Sequence, residues 1–187
     1  MTDKAKDGDG LKMDKRLLKA RTIILSKEID DKIARSVLTQ LVLLEDDDPE
    51  GEITMYVNSP GGSADSGFAI YDMMRYVKPP VKTIVSGLCA SAAVIVFLGG
   101  DKGKRLSFPN SRFLLHQPSS AAYGAASDIE ITAKEILNIR RRYNAIVAAE
   151  TGKTVEDIEA DANRDFWLSA EAAVEYGLAD RIIERRE

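Results

Sequence analysis

The sequence predicts an α/β layer fold in which parallel strands are joined by helical crossovers. Short β-branched runs alternate with helix-period segments, and each early strand is followed by a helix before the next strand begins. One of those helices is apolar on every side, the mark of an element buried in the core.

The elements follow in order. Thr22–Leu25 is a β-branched run and reads as a strand. Asp30 and Asp31 open a helix whose apolar positions Ile33, Val37, Leu38, Leu41 and Val42 fall on one face. Residues 46–51 form a turn; their three adjacent acids lack the spaced ligands and closing glutamate of a calcium loop, so they read as solvated. A strand at 53–57, a helix at 63–76, a strand at 81–85, the buried helix at 91–98 and a strand at Arg112–Leu115 complete the layered part. Beyond Pro118 the pattern changes. Residues 119–127 are an alanine- and serine-rich connector, and Asp128 is read as the cap of a long helix running to about Glu150. Ile129, Ile136, Ile139, Tyr143, Ile146 and Val147 form its apolar stripe. A helix this long on so soft a connector is expected to leave the body and pack against another subunit. There are no internal repeats.

At 187 residues the chain is one domain, divided into a flexible N-terminal segment at 1–16 and a folded domain at 17–187. Residues 1–10 have no apolar core of the kind a signal peptide needs, and the longest nearly apolar stretch, 89–100, falls short of the roughly 20 residues that span a bilayer. The expectation is a soluble cytoplasmic protein with no membrane partner. A formal charge of -4 argues against nucleic acid as a partner, and Arg140, Arg141 and Arg142 are too short a basic run to reverse that. A solvated helix face is the reading for them. One cysteine excludes an internal disulfide and fits a reducing compartment.

The chain has a single histidine, His116, at the end of an apolar run, so paired-histidine mechanisms and most metal sites are excluded. Upstream lie Ser91 among small residues and the loop Asn58-Ser59-Pro60-Gly61-Gly62. These pieces suit acyl transfer. A serine hydroxyl needs a base to take its proton, the base needs an orienting group, and the oxyanion needs amide donors. Glycines let the backbone approach a substrate carbonyl, and the Ala92 amide at a helix start is a second natural donor. Each piece has a plainer reading: Pro-Gly-Gly as a turn, Ser91 as a helix cap, His116 as a structural residue. Cys89 is an alternative nucleophile, though an apolar cysteine is more often buried. What favours chemistry is their joint placement at strand ends, where α/β sheets locate sites. The pattern is neither a Gly-x-Ser-x-Gly elbow nor a phosphate-binding loop. Spacing alone does not choose the acid; Asp165 is attractive because the apolar Phe166-Trp167-Leu168 follows it and suggests a buried position.

From about Leu17 to Ile183 the sequence resembles the ClpP family, the proteolytic subunits of the Clp protease. The resemblance is carried by Asn58-Ser59-Pro60-Gly61-Gly62, Ala90-Ser91, Pro109-Asn110-Ser111-Arg112, His116-Gln117-Pro118, Asp128-Ile129-Glu130-Ile131, Arg164-Asp165-Phe166 and Ser169-Ala170-Glu171-Ala172, in the family's order and spacing. It implies a crotonase-like fold with a protruding handle at about 119–150. Ser91 would be nucleophile, His116 general base and then acid, and Asp165 the orienting carboxylate, with Gly62 and Ala92 as oxyanion donors. It also implies two stacked seven-membered rings enclosing a chamber, into which an AAA+ unfoldase threads unfolded polypeptide. ATP belongs to that partner, so no cofactor is expected in this chain.

Three departures stand out. The stretch before Leu17 lacks the apolar segment usual at the axial pore. Thr54 replaces a tyrosine common in the unfoldase-docking pocket, while Tyr56 is kept. Asn163 replaces an acid that usually pairs across rings with the arginine matched by Arg164; the contact becomes neutral and weaker. These suggest a divergent paralogue that works fully only with a second ClpP-type subunit. A weakly active ring subunit and a crotonase-type acyl-CoA enzyme are the competing readings.

Overall fold

The computed structural model describes residues 13, 15–119 and 123–185. The expected flexible tail at 1–10, and part of the 119–127 connector, lie outside the described residues.

A seven-stranded sheet runs in the order β1 (Thr22–Leu25), β2 (Ile53–Ser59), β3 (Val81–Ala90), β4 (Arg105–Ser107) and β7 (Arg181–Ile182), all parallel. Off this path β5 (Arg112–Leu115) pairs parallel with β3, and β6 (Phe166–Ser169) pairs antiparallel with β5. The sheet is therefore mixed rather than wholly parallel. The helices are α1 (Asp31–Asp47), α2 (Ala64–Tyr76), α3 (Ala92–Leu98), α4 (Ala126–Thr151), α5 (Val155–Asp161) and α6 (Ala170–Tyr176).

Local chemistry explains most boundaries. Asp30 accepts from the Ile33 amide at 2.7 Å and caps α1. The helix then runs to Asp47, into the expected turn, and its buried line is Ala34, Val37, Leu41 and Leu44, while Val42 is 49% exposed. Val42, expected on the buried face, lies outside it, because Val42 and Leu43 extend the apolar run without reaching the core. Ser63 caps α2 through the Ser66 amide. Every residue of α3 is buried, as its apolar sequence requires.

Strand β3 is twice its expected length because it serves two partners in succession. Thr83–Val85 pair with β4, and Leu88–Ala90 pair with β5. The bend between them lies at Gly87, with φ of 103°. Only glycine takes that backbone freely, and an added Cβ would stand 2.9 Å from Asn58 Oδ1. Ser111 Oγ accepts from the Gly87 amide and donates to the Val85 carbonyl, while Asn58 Oδ1 accepts from the Leu88 amide. The bend is thus hydrogen-bonded on both sides.

Two expectations about α4 are corrected. Ala125, not Asp128, occupies the cap position, and Asp128 sits in the first turn, where its charge favours the helix dipole. Ile129 is 43% exposed, so the apolar stripe packs only from its middle onward, at Tyr143 and Val147. The basic run is only partly solvated. Arg140 pairs with Glu159 of α5 at 2.9 Å, and Arg142 lies over the Phe68 ring of α2 at 4.3 Å. These contacts seat the C-terminal half of α4 on the body.

A buried ion pair completes that seating. Arg105 is 2% exposed, and its guanidinium donates to Glu150 at 2.6 Å and to the Gly100 carbonyl at 2.7 Å. The Tyr71 hydroxyl donates to the other Glu150 oxygen at 2.8 Å. Burial pushes the Glu150 carboxyl up, but the bonds from Arg105 and Tyr71 outweigh it and hold the group below its ordinary value. Burial, reinforced by Glu150, pushes the Tyr71 hydroxyl up to about 12. Removing one partner strands a buried charge, so Glu150→Ala is expected to destabilise the chain by about 3–5 kcal/mol in denaturant titration. The lowered Glu150 value gives stability that is complete above the unfolded-chain value of 4.5 and is lost as pH falls through the lower folded one. Glu150→Gln is expected to flatten the acid limb of the stability–pH curve.

Candidate active site

The strand ends bring most of the sequence-selected residues to one cavity of about 430 Å³. Its lining includes Gly62, Ser91, Ala92 and His116, with Phe68, Ile95, Ile136, Ile139 and Tyr143 forming apolar walls.

Ser91 occupies the tight turn between β3 and α3, with φ of 57° and ψ of -125°. This is a conformation a residue with a Cβ rarely adopts, and its surroundings hold it there. Its amide donates to the Leu114 carbonyl at 2.9 Å, extending the β3–β5 ladder one residue past Ala90. The plainer reading of Ser91 as a cap does not hold, because its side chain makes no capping hydrogen bond. The hydroxyl remains available to the cavity. Because β5 is the strand that carries His116, the same ladder sets the histidine beside the serine turn.

The Pro-Gly-Gly loop packs against that turn. Gly61, at φ of 92°, would place an added Cβ 2.6 Å from the Ala90 carbonyl and 2.7 Å from the Ser91 Cβ. Gly62, at φ of 140°, would place one 2.3 Å from the Ile29 carbonyl. The Ile29 amide donates to Gly61 and the Ser63 amide donates back to Ile29, pinning the loop on both sides of Gly62. Among the described residues, neither the Gly62 nor the Ala92 amide finds a hydrogen-bond partner. Both residues line the cavity, so its wall contains two unspent N–H donors and a helix start.

Asp165 lies 3.9 Å from His116, measured from Oδ1 to Nδ1. It is not buried as the flanking aromatic run suggested; its side chain is 67% exposed, against 28% for His116. The reason is that Asp165 precedes β6, whose alternation buries Leu168 and leaves Trp167 half-exposed over Arg112. The loop carrying Asp165 is tied to the histidine strand by Gln117, whose Nε2 donates to the Asn163 carbonyl at 2.9 Å. The preceding end of α5 is tied to α6 by the Tyr176 hydroxyl, which donates to Asp161 at 2.7 Å.

Cys89 is buried inside β3, and burial pushes its thiol far up, so the alternative nucleophile is a neutral core group. Tyr143 is a cavity residue that sequence reading placed only on an apolar stripe. The signal was its hydroxyl, since a buried tyrosine normally needs a polar partner. Asp72 and Tyr71 of α2 lie outside this cavity. No group of acids, histidine and cysteine that could hold a metal occurs among the described residues.

The sequence profile of the family described as Clp protease matches residues 5–186. The chain belongs to the Clp protease family. A solved structure of a ClpP1 asparagine-to-aspartate mutant from Listeria monocytogenes is similar to it, with 40% sequence identity and a TM-score of 0.86. The match covers 93% of this chain and 97% of that one. The crotonase-like ClpP fold expected from the sequence is thereby the fold of this chain, and the chain is a ClpP-type proteolytic subunit, a peptidase. No helix among the described residues is long and apolar enough to cross a membrane.

The packing of Gly61 on Ser91 gives a test that does not touch any reacting group. Gly61→Ala combines an unfavourable φ with a backbone collision and is expected to cost about 1–3 kcal/mol. Its reaction with a fluorophosphonate probe is expected to slow markedly, because relief of the collision displaces the serine turn.

Proposed function

We propose that Ser91, His116 and Asp165 form a catalytic triad that hydrolyses peptide bonds of unfolded polypeptide, with the Gly62 and Ala92 amides as oxyanion donors. The observation that carries this is the convergence on one cavity of an uncapped serine in a strained turn, the sole histidine and two amides without partners. In this reading His116 takes the Ser91 proton as the hydroxyl attacks the substrate carbonyl. The two amides stabilise the tetrahedral oxyanion, and His116 then donates the proton to the leaving amine. Water enters on the second half-cycle, His116 removes its proton, and the acyl-enzyme is hydrolysed. Asp165 orients the imidazole and stabilises its cationic form.

The apolar walls of the cavity suit an uncharged substrate side chain. Family membership supports assembly as stacked rings around a chamber, with an AAA+ unfoldase as the partner that consumes ATP and delivers substrate. No cofactor is assigned to this chain, and a cytoplasmic location is part of the same reading. In this reading a second cavity of about 420 Å³, lined by Thr54, Tyr56, Ile84, Leu106 and Phe108, is where that unfoldase docks.

The second reading is a ring subunit that reaches full activity only beside a partner paralogue. It is favoured by the solvent-exposed Asp165 and its 3.9 Å separation from His116, longer than a direct hydrogen bond. A neighbouring subunit that covered Asp165 would exclude water and strengthen the contact.

Fluorophosphonate labelling of wild type, Ser91→Ala and Cys89→Ala tests the nucleophile. Label is expected in wild type and Cys89→Ala and absent from Ser91→Ala, with peptidase activity down on the order of 10⁴- to 10⁶-fold. Label persisting in Ser91→Ala contradicts the assignment. Light scattering coupled to size exclusion tests the ring reading. Asn163→Asp restores an acid beside Arg164 and is expected to shift assembly toward stacked rings; unchanged assembly counts against a role for Asn163.

A further inference from the structure

Tyr143 stands at the cavity wall with its ring among apolar neighbours and its hydroxyl turned toward the serine turn. The residue is 5% exposed, and the hydroxyl donates to the Ser91 carbonyl at 3.5 Å. Among the described residues this is the hydroxyl's one partner. The carbonyl it meets belongs to the same peptide unit as the Ala92 amide.

That peptide unit begins at one of two non-glycine residues with positive φ among the described residues, the other being Arg21. It follows a residue at φ of 57°, so the backbone by itself does not favour the orientation that turns the Ala92 amide into the cavity. The Val94 amide already donates to the Ser91 carbonyl at 2.9 Å. A second donor on the same oxygen fixes the plane of the peptide and polarises it, so that its N–H becomes a stronger donor. We infer that Tyr143 is a positioning residue for the oxyanion site: its hydroxyl holds and polarises the Ser91–Ala92 peptide. The inference rests on the reading of Ala92 as an oxyanion donor.

Two features fit this role. Burial pushes the Tyr143 hydroxyl far above its ordinary range, so it stays a protonated donor wherever the protein is folded. The 3.5 Å separation is long for a hydroxyl hydrogen bond, as catalytic contacts often are before substrate arrives. It tightens as charge on the oxyanion draws on the Ala92 amide and increases the negative charge at the Ser91 oxygen. The contribution is therefore larger in the transition state than in the resting protein.

Tyr143→Phe deletes the oxygen and keeps the ring, and the Ser91 carbonyl retains Val94 as a partner. On the assembled protein, kcat for a short peptide and the rate of fluorophosphonate labelling are expected to fall by about three- to tenfold. KM and melting temperature are expected to stay unchanged. Affinity for a peptide boronate, whose adduct with Ser91 carries an oxygen in the oxyanion position, is expected to fall by the same factor, and affinity for a cleaved product peptide is not. A kcat within about twofold of wild type overturns the inference, as does a parallel loss of product affinity. Failure of the nucleophile assignment looks different: label is then retained by Ser91→Ala, and both readings fall together.

Discussion

The hydrogen bond from the Ser91 amide to the Leu114 carbonyl is the constraint on which the site depends. It continues the pairing of β3 with β5 beyond the last strand residue and holds Ser91 in its strained turn. Without it, the tight turn would relax toward a common backbone conformation and α3 would start in another direction. The bond can form only because β3 leaves β4 halfway and joins β5 instead, which requires the bend at Gly87. Asn58, Ser111 and the glycine at the bend therefore belong to the same mechanical unit as the serine. The Asn58 and Ser111 side chains occupy the bend as hydrogen-bonding posts. Loop, bend and turn form one continuous structure.

A second unit sets the other wall of the cavity. Helix α4 supplies Ile136, Ile139 and Tyr143 to that wall, and its seating depends on charged groups as well as apolar ones. Arg105 and Glu150 anchor its C-terminal end in the core, Arg140 reaches α5, and Arg142 covers Phe68. A buried ion pair is a weak source of net stability compared with an apolar replacement. Its directional hydrogen bonds instead fix the angle at which the helix leaves the body. The exposed apolar residues Ile129, Ile131 and Leu137 lie farther along the same helix, where the anchoring contacts no longer reach. A surface of this kind in an oligomeric family is suited to contact with another subunit.

Much of this was legible in the sequence because period and turn chemistry are local. The strand at Thr22–Leu25, the start of α1 at Asp30, the buried α3 and the strand at Arg112–Leu115 all follow from residues a few positions apart. What was missed is long-range. Strands β4, β6 and β7 are two to four residues long, and they are strands only because a neighbour supplies their hydrogen bonds. The second half of β3 reads as a loop because Ser86 and Gly87 interrupt its apolar run. Arg105 sits in a charged surface-like sequence, Lys102-Gly103-Lys104-Arg105, yet it is almost wholly buried. Its ion-pair partner Glu150, and the Tyr71 hydroxyl that donates to the same carboxylate, lie far off in the chain. The serine, the histidine and both glycines could be selected because their chemistry is distinctive, whereas at Tyr143 a lone hydroxyl on an apolar stripe was the one signal, and it does not say which group it faces.

The exposed Asp165 shows how tertiary context divides a site into finished and unfinished parts. Ser91, Gly61 and Gly62 are fixed by backbone pairing within the chain, and no neighbour is needed to define them. Asp165 is held through its loop, which Gln117 ties at Asn163, with its carboxylate largely facing solvent. Water competes for an exposed carboxylate and weakens its hold on an imidazole. Order in the Asp165 loop is therefore what an added surface can most readily supply, while the Ser91 turn has little left to gain. A chain built this way stores a formed serine turn in each subunit and leaves the strength of the histidine–carboxylate contact open to its surroundings. In the proposed triad, control through assembly would act on Asp165, at the part of the site with the fewest internal restraints.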